Sequence, residues 1–268
     1  MQSRSSRRVF LKQASFVAAA ALLTPAECLR AATDAVQSTP ARLAIIIDDV
    51  GYNRSNARAF LQLGVPLTFS ILPKVTYSGE LAEDIHHAGH EIMLHQPMQP
   101  HGDVADPGPG ALFVQHTRAD MEEIIRQNLA ELPFACGVNN HMGSLFTESR
   151  PPVSDMLDIF RQRSFFFVDS FTSSHSVAFR TAREFNMIAA YRNVFIDNEP
   201  EEEIIYRQLL EAKRRALRTG SAIAIGHPRP ETVKVLEGFL KEIKHSGIEL
   251  VYASAVARER TGLAAGAA

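Results

Sequence analysis

Apolar residues in this chain follow two alternating patterns. The first is the short continuous run: RLAIIID (42–48), PLTFSIL (66–72), HEIMLH (90–95), FFFVDS (165–170), MIAAYRNVFID (187–197), SAIAIGH (221–227) and IELVYAS (248–254). Such runs, rich in Ile, Val and Phe, suit strands covered on both faces. ACGVNNHMGS (135–144) reads as a short strand running into a loop. The second pattern is helical periodicity, in NRSNARAFLQLG (53–64), SGELAEDIHHAG (78–89), TRADMEEIIRQNLAELP (117–133), PVSDMLDIFRQRS (152–164), SVAFRTAREFN (176–186), EPEEEIIYRQLLEAKRRALRTG (199–220) and RPETVKVLEGFLKEIKHSG (229–247). Ser78 is a candidate cap, and Gly64 and Gly89 are candidate stops. Glu203–Arg207 and Glu211–Arg215 sit at i,i+4 spacing on the long helix. About seven strands interleaved with helices predict an α/β fold, its parallel strands joined by right-handed crossovers as an open sheet or a barrel. The irregular stretch QPMQPHGDVADPGPGAL (96–112) suits a loop that lines a site.

The N-terminus departs from this alternation. SRRVFLKQASFVAAAALLTPAECLRAA has a charged start, an apolar run from Phe16 to Leu23 and small residues at Ala31 and Ala32. That is the layout of a signal peptide, too short for a stable membrane span. Arg7 and Arg8, followed by Phe10, Leu11 and Lys12, resemble the twin-arginine export motif. A plain secretory signal or a short anchor is the competing reading. The expected organisation is a signal peptide over 1–32, a polar linker over 33–41, one domain over 42–256 and a disordered tail over 257–268. Such a protein is periplasmic, with the export machinery as a transient partner and no span left after processing.

Composition narrows the partners. The 268 residues carry a formal net charge of −2, so no basic excess is available for nucleic acid. No Trp is present, so sugar stacking would fall to Phe or Tyr. Of the two cysteines, Cys28 lies in the leader, and Cys136 reads as a small buried hydrophobe.

Polar residues collect where the strands end: Asp48 and Asp49, His95, Asn139 to His141, Asp169 and His227. The carboxyl edge of a parallel sheet is where such folds build sites. Two adjacent carboxylates repel, and a cation is the natural compensation. If the strand runs on through them, Asp48 and Asp49 diverge, which suits one to a metal and the other to a proton from water. Asp49, His95 and His141 make an Asp-His-His set with positions left open for water and substrate, and zinc suits neutral imidazoles. His227 follows Gly226, which admits close approach by a ligand. Asp169 is a candidate to orient His227 or another group, and Asn140 a candidate supporting residue. Glu91, inside a strand, implies either a buried ion pair or a solvent-facing position.

The segments IIIDDVGYN, GHEIMLHQPMQP, GVNNHMGS, FFVDS and AIGHPRPET, taken in order, resemble the divergent polysaccharide deacetylase family, a branch of the larger polysaccharide deacetylase group. The resemblance spans Arg42 to Ser254. It implies a distorted (β/α) barrel with one divalent metal, with Asp48 as base, Asp49 as ligand and His227 as general acid. Of the group's two metal-binding histidines four apart, the first corresponds to His95 and the second to Gln99. The Arg-Pro loop of its third motif is replaced by NNHMG, where His141 supplies a replacement ligand.

The leading expectation is a metal-dependent envelope hydrolase that deacetylates a glycan. The competing ones are a catalytically silent glycan-binding or accessory protein with the same fold and metal, and a hydrolase of another ester or amide. The leader carries its own test. Arg7→Lys combined with Arg8→Lys should leave the precursor in the cytoplasm in a fractionation assay, and normal export would point to an ordinary secretory route.

Overall fold

The computed structural model describes residues 40–102 and 106–262. The leader, with Arg7, Arg8 and Cys28, and all but the end of the linker lie outside the described residues. Nine parallel strands form one curled sheet in the order β6-β5-β4-β3-β2-β1-β8-β7, with β9 beside β1. The strands are β1 Ala41–Val50, β2 Thr68–Ile71, β3 Glu91–Met98, β4 Gly137–Met142, β5 Phe166–Asp169, β6 Ala189–Tyr191, β7 Val194–Phe195, β8 Ser221–Gly226 and β9 Ile248–Val251. The helices between them are α1 Arg54–Leu61, α2 Ser78–His87, α3 Arg118–Ala130, α4 Ser144–Glu148, α5 Arg150–Arg161, α6 Ala178–Glu184, α7 Glu202–Thr219, α8 Pro230–Ile243 and α9 Ala253–Thr261. This is the distorted (β/α) barrel that the resemblance implied. Two of the nine strands, β6 and β7, come from MIAAYRNVFID and lie at opposite ends of the sheet. Among the described residues, no helix is long and apolar enough to cross a membrane.

The period of two along each strand sorts side chains onto two faces. Leu43, Ile45 and Ile47 of β1 join the outer core under the helices. Ala44 and Ile46 point into the concave face, where they meet Met93, Phe166, Val168, Ile223 and Ile225. Each of the larger side chains here, the Ile, Val, Phe and Met residues, stabilises the fold by roughly 1.5–3 kcal/mol when fully buried.

The concave face is completed by α9, through Ala253, Val256 and Ala257. Residues 257–261, expected in a disordered tail, are therefore helical, because Val256 and Ala257 are needed to fill the curl. Glu91 serves the same helix. It accepts hydrogen bonds from Thr68 Oγ1 (2.9 Å) and Ser254 N (3.1 Å), and Thr68 Oγ1 accepts from Ala253 N (2.9 Å). Neither expected role of Glu91 holds: it supplies an acceptor to otherwise unpaired donors at a helix start, and burial raises its pKa.

Three local features differ from the sequence reading or sharpen it. Ser78 is the first residue of α2 rather than its cap, and its hydroxyl donates to Leu72 O (2.6 Å), tying the end of β2 to the helix. Cys136 is exposed, because it precedes β4 at the sheet's lower edge. Thr117 and Asp120 form a reciprocal capping box that fixes the start of α3 after the Pro/Gly-rich loop.

Candidate active site

Strand alternation decides which of the polar strand ends meet. On β3, Met93 is concave and Leu94 outer, so His95 is concave. Next to it, β4 pairs His95 with Asn139 and Pro97 with His141, which puts Asn139 and His141 on the same concave face. Ile223 and Ile225 are concave on β8, and His227 follows with the same parity. Asp48 shares the parity of Ala44 and Ile46.

Asp49 should by the same count turn outward, and it does not. The register of β1 against β2 steps from Ile47–Phe69 to Val50–Ile71, a bulge with one extra residue. Asp49 occupies the left-handed region at φ 55, which its short polar side chain tolerates. The bulge cancels the expected divergence and turns both carboxylates toward the site. Two residues on, Gly51 (φ 138) passes so close to the next turn that a Cβ would come 2.4 Å from Val75 Cγ2.

Asp49, His95 and His141 converge as the sequence suggested. Asp49 Oδ1 lies 3.0 Å from His95 Nε2 and 2.9 Å from His141 Nδ1, and the two imidazole nitrogens are 3.2 Å apart. Asp49 Oδ1 is nonetheless buried with no hydrogen-bond partner. Three donor atoms aimed at a shared point, one of them an orphaned carboxylate oxygen, suit a small divalent cation. A tetrahedral zinc site has ligand–ligand edges of roughly 3.3–3.6 Å, and this triangle is a few tenths of an ångström tighter. Nitrogen and oxygen donors of this kind fit zinc. Burial pushes the Asp49 pKa up, but His141 and His95 outweigh it and hold the carboxyl well below the usual range.

Asn139, wholly buried, connects the triad to Asp48. Its Oδ1 lies 2.7 Å from His95 Nδ1 and also accepts from Ser70 Oγ, while its Nδ2 donates to Asp48 Oδ1 (2.8 Å). An oxygen acceptor at Nδ1 fixes the proton there and leaves Nε2 free to ligate. Asp48 is 3 % exposed and stays outside the triad, with Oδ2 3.8 Å from His95 Nε2. Burial raises its pKa, against the pull of His95, His227 and Asn139, which makes it a stronger base than a surface carboxylate.

His227 faces the site from β8, with Nε2 3.6 Å from Asp49 Oδ2. Its Nδ1 is 2.8 Å from Asp197 Oδ1, and its backbone N donates to Asp197 Oδ2 (2.7 Å). Thr232 Oγ1 also donates to Asp197 Oδ2 (2.7 Å). Burial lowers the His227 pKa, but the Asp197 pair outweighs it and the net shift is upward.

Three sequence candidates lie off the cluster. Asn140 faces away from the triad, accepting from Ser170 N (2.8 Å) and donating to Met142 O (2.8 Å). Asp169 does not orient His227. It accepts from Phe171 N, Ser176 Oγ and Phe179 N, and so shapes the loop after β5. Gln99 uses its Oε1 to accept from Val114 N (3.0 Å), which fastens the Pro/Gly-rich loop. Asp197, which does orient His227, ends the segment MIAAYRNVFID and is not among the strand-end candidates. Asn139 was visible among the strand-end residues but was passed over for its neighbour. Counting by twos from His141 along a continuous strand would have chosen it.

The barrel and its Asp-His-His cluster define a deacetylase-like (β/α) fold with a candidate cation site. The chain belongs to the divergent polysaccharide deacetylase family, whose family model matches residues 45–257. It is 34% identical over 221 residues to the uncharacterized protein YibQ of Escherichia coli (strain K12), a match covering 81% of this chain and 68% of YibQ. The crystal structure of the uncharacterized protein ATU2773 from Agrobacterium tumefaciens C58 superposes with a TM-score of 0.77 at 23% identity, covering 82% of this chain and 90% of that one. A mutant of BA3943, described as a CE4 family pseudoenzyme with restored enzymatic activity, shares the fold at a TM-score of 0.51 and 15% identity, covering 81% and 68% of the two chains.

Metal affinity at this site should depend steeply on pH. Burial disfavours protonated His95, but Asp48 and Asp49 outweigh it and raise its pKa to about 9 in the metal-free protein. Below that pH a cation has to displace a proton from Nε2. Apparent zinc affinity should therefore rise about tenfold per pH unit up to roughly pH 9. Calorimetry in buffers of different ionisation enthalpy should show proton release at neutral pH. Affinity that stays flat between pH 6.5 and 8.5, in buffers held to within roughly a pH unit of those limits, would contradict the displacement.

Proposed function

We propose that this chain is a metal-dependent hydrolase that removes acetyl groups from a glycan of the cell envelope. The carrying observation is Asp48, a buried carboxylate set beside the triad and outside it. A site built only to hold a cation has no use for this second carboxylate, whose burial raises its pKa.

Asp49, His95 and His141 are the residues that would hold the ion. A divalent ion bound there would polarise an acyl carbonyl and acidify water. Asp48 accepts a proton from the attacking water, while Asn139 fixes its Oδ1 and so directs the other oxygen. His227, whose protonated form the Asp197 carboxylate favours, donates a proton to the departing amine or alkoxide. The envelope location rests on the export reading of residues 1–32, and the acetylated substrate on family membership together with this pair of proton-handling groups.

One observation favours a second reading. Gln99 stands where the larger deacetylase group has a metal histidine, and it serves the neighbouring loop. A catalytically silent glycan-binding protein would tolerate that change.

Acetate release from a panel of acetylated envelope glycans separates the two. With zinc-loaded protein, Asp48→Asn should lower release by roughly 100-fold or more, the scale of general acid–base catalysis. His227→Ala should lose rate most severely with poor leaving groups. Glycan binding without acetate release by the parent protein would favour the silent reading.

A further inference from the structure

The curled sheet is open between β6 and β7, and the residues crossing that seam include a cation that the proposed mechanism does not use. Arg192 is half-buried. Its Nε donates to Ser170 O (2.6 Å) and its Nη2 to Phe171 O (3.0 Å). Its guanidinium carbon sits 4.6 Å from the centre of the Phe195 ring, and that ring is 5.3 Å from the His227 ring. The head group is thus pinned by two carbonyls and an aromatic face, one ring away from the proposed acid. Its Nη1 makes no hydrogen bond to the described residues, and no described carboxylate lies within 4.0 Å of the guanidinium. Asp48 and Asp169 act on it only at longer range, against the lowering of its pKa by burial. A partly buried cation with no counter-ion is unfavourable unless something supplies one.

The neighbouring residue is unusual in a second way. Phe171 holds φ 54, a region a bulky side chain rarely enters, and it is 41% exposed. Asp169 Oδ1 accepts from its backbone N (2.9 Å) while Arg192 holds its carbonyl, so the strained conformation is fastened from both sides. Tyr191, 37% exposed, lies 6.1 Å away ring to ring. Strain kept at a site edge points to a task. Exposed aromatic faces suit the apolar face of a sugar ring. A guanidinium with a free amino group suits a carboxylate or phosphate.

We propose that Arg192 and Phe171 form a subsite for an anionic group, a carboxylate or a phosphate, carried by the glycan substrate. This rests on the glycan part of the proposed function and goes beyond it by assigning the substrate a charge. Arg192 is a specificity residue in this account.

Equilibrium binding tests it without requiring turnover. Full-length zinc-loaded protein is titrated calorimetrically with N-acetylmuramic acid and with N-acetylglucosamine 6-phosphate, each compared with N-acetylglucosamine. The wild type should prefer at least one charged sugar by about tenfold or more, the worth of one charge-assisted contact. The sugar preferred tells carboxylate from phosphate. Arg192→Gln should reduce that preference at least about tenfold, and Arg192→Lys should keep part of it. Equal binding of charged and neutral sugars by the wild type, no binding of either charged sugar, or a preference that survives Arg192→Gln would overturn the subsite. So would an equal weakening of charged and neutral sugars, which would mean that Arg192 only supports Asp48 or the loop. If Arg192→Gln does not fold, the wild type decides: its preference should shrink as salt rises, and a salt-independent preference overturns the proposal. A wild type that shows the preference but releases no acetate contradicts the hydrolase reading and leaves the subsite standing.

Discussion

The site depends on one irregularity in the backbone, the bulge that lets two consecutive carboxylates share a face. A regular strand would send Asp49 into the outer core beside Ile45 and Ile47, where an unpaired charge is not tolerated. The left-handed turn at Asp49 costs roughly 1–2 kcal/mol, and an aspartate meets that cost more easily than most residues. What it creates is a pair of like charges at the mouth of a barrel. Two such charges a few ångströms apart repel by about 4 kcal/mol at the effective dielectric of a protein surface. His95 and His141 offset this in the metal-free protein, and a divalent cation would do so more fully.

The pair is then made unequal by its surroundings. Asp49 is drawn down by two imidazoles and left with an orphaned oxygen. Asp48 is pushed up by burial and held by a single neutral amide. Asn139 belongs to both halves, since the same side chain orients His95 and tethers Asp48. Across the mouth, Asp197 does for His227 what Asn139 does for His95, but with a charge, which favours the protonated ring. The proposed mechanism uses this inequality, with Asp49 as ligand, Asp48 as base and His227 as acid.

Much of this was legible in the sequence, for identifiable reasons. The alternation of apolar runs and amphipathic helices specifies a parallel sheet, and a parallel sheet fixes the edge where polar residues matter. The set Asp49, His95 and His141 followed from that edge. What escaped was parity and breakage. Reading GVNNHMGS as a strand dissolving into a loop hid the two-residue period that separates Asn139 from Asn140. MIAAYRNVFID holds two short strands, so no single run ends at Asp197 to mark it as a strand-end residue, and Asp169 stands instead as the candidate to orient His227 or another group. The helix over 253–261 escaped because its alanine-rich apolar side gives little signal until the hollow it fills is known. The bulge itself has no local signature beyond the Asp-Asp pair and the glycine that follows.

The division of labour between the two carboxylates is tested most directly by metal content. Wild-type, Asp48→Asn and Asp49→Asn proteins, each loaded with zinc and dialysed against a weak chelator, can be compared by elemental analysis. Asp48→Asn should keep the wild-type stoichiometry of zinc while Asp49→Asn loses it, because only Asp49 contributes a charged ligand. Loss of zinc from Asp48→Asn with retention in Asp49→Asn would contradict that division of labour.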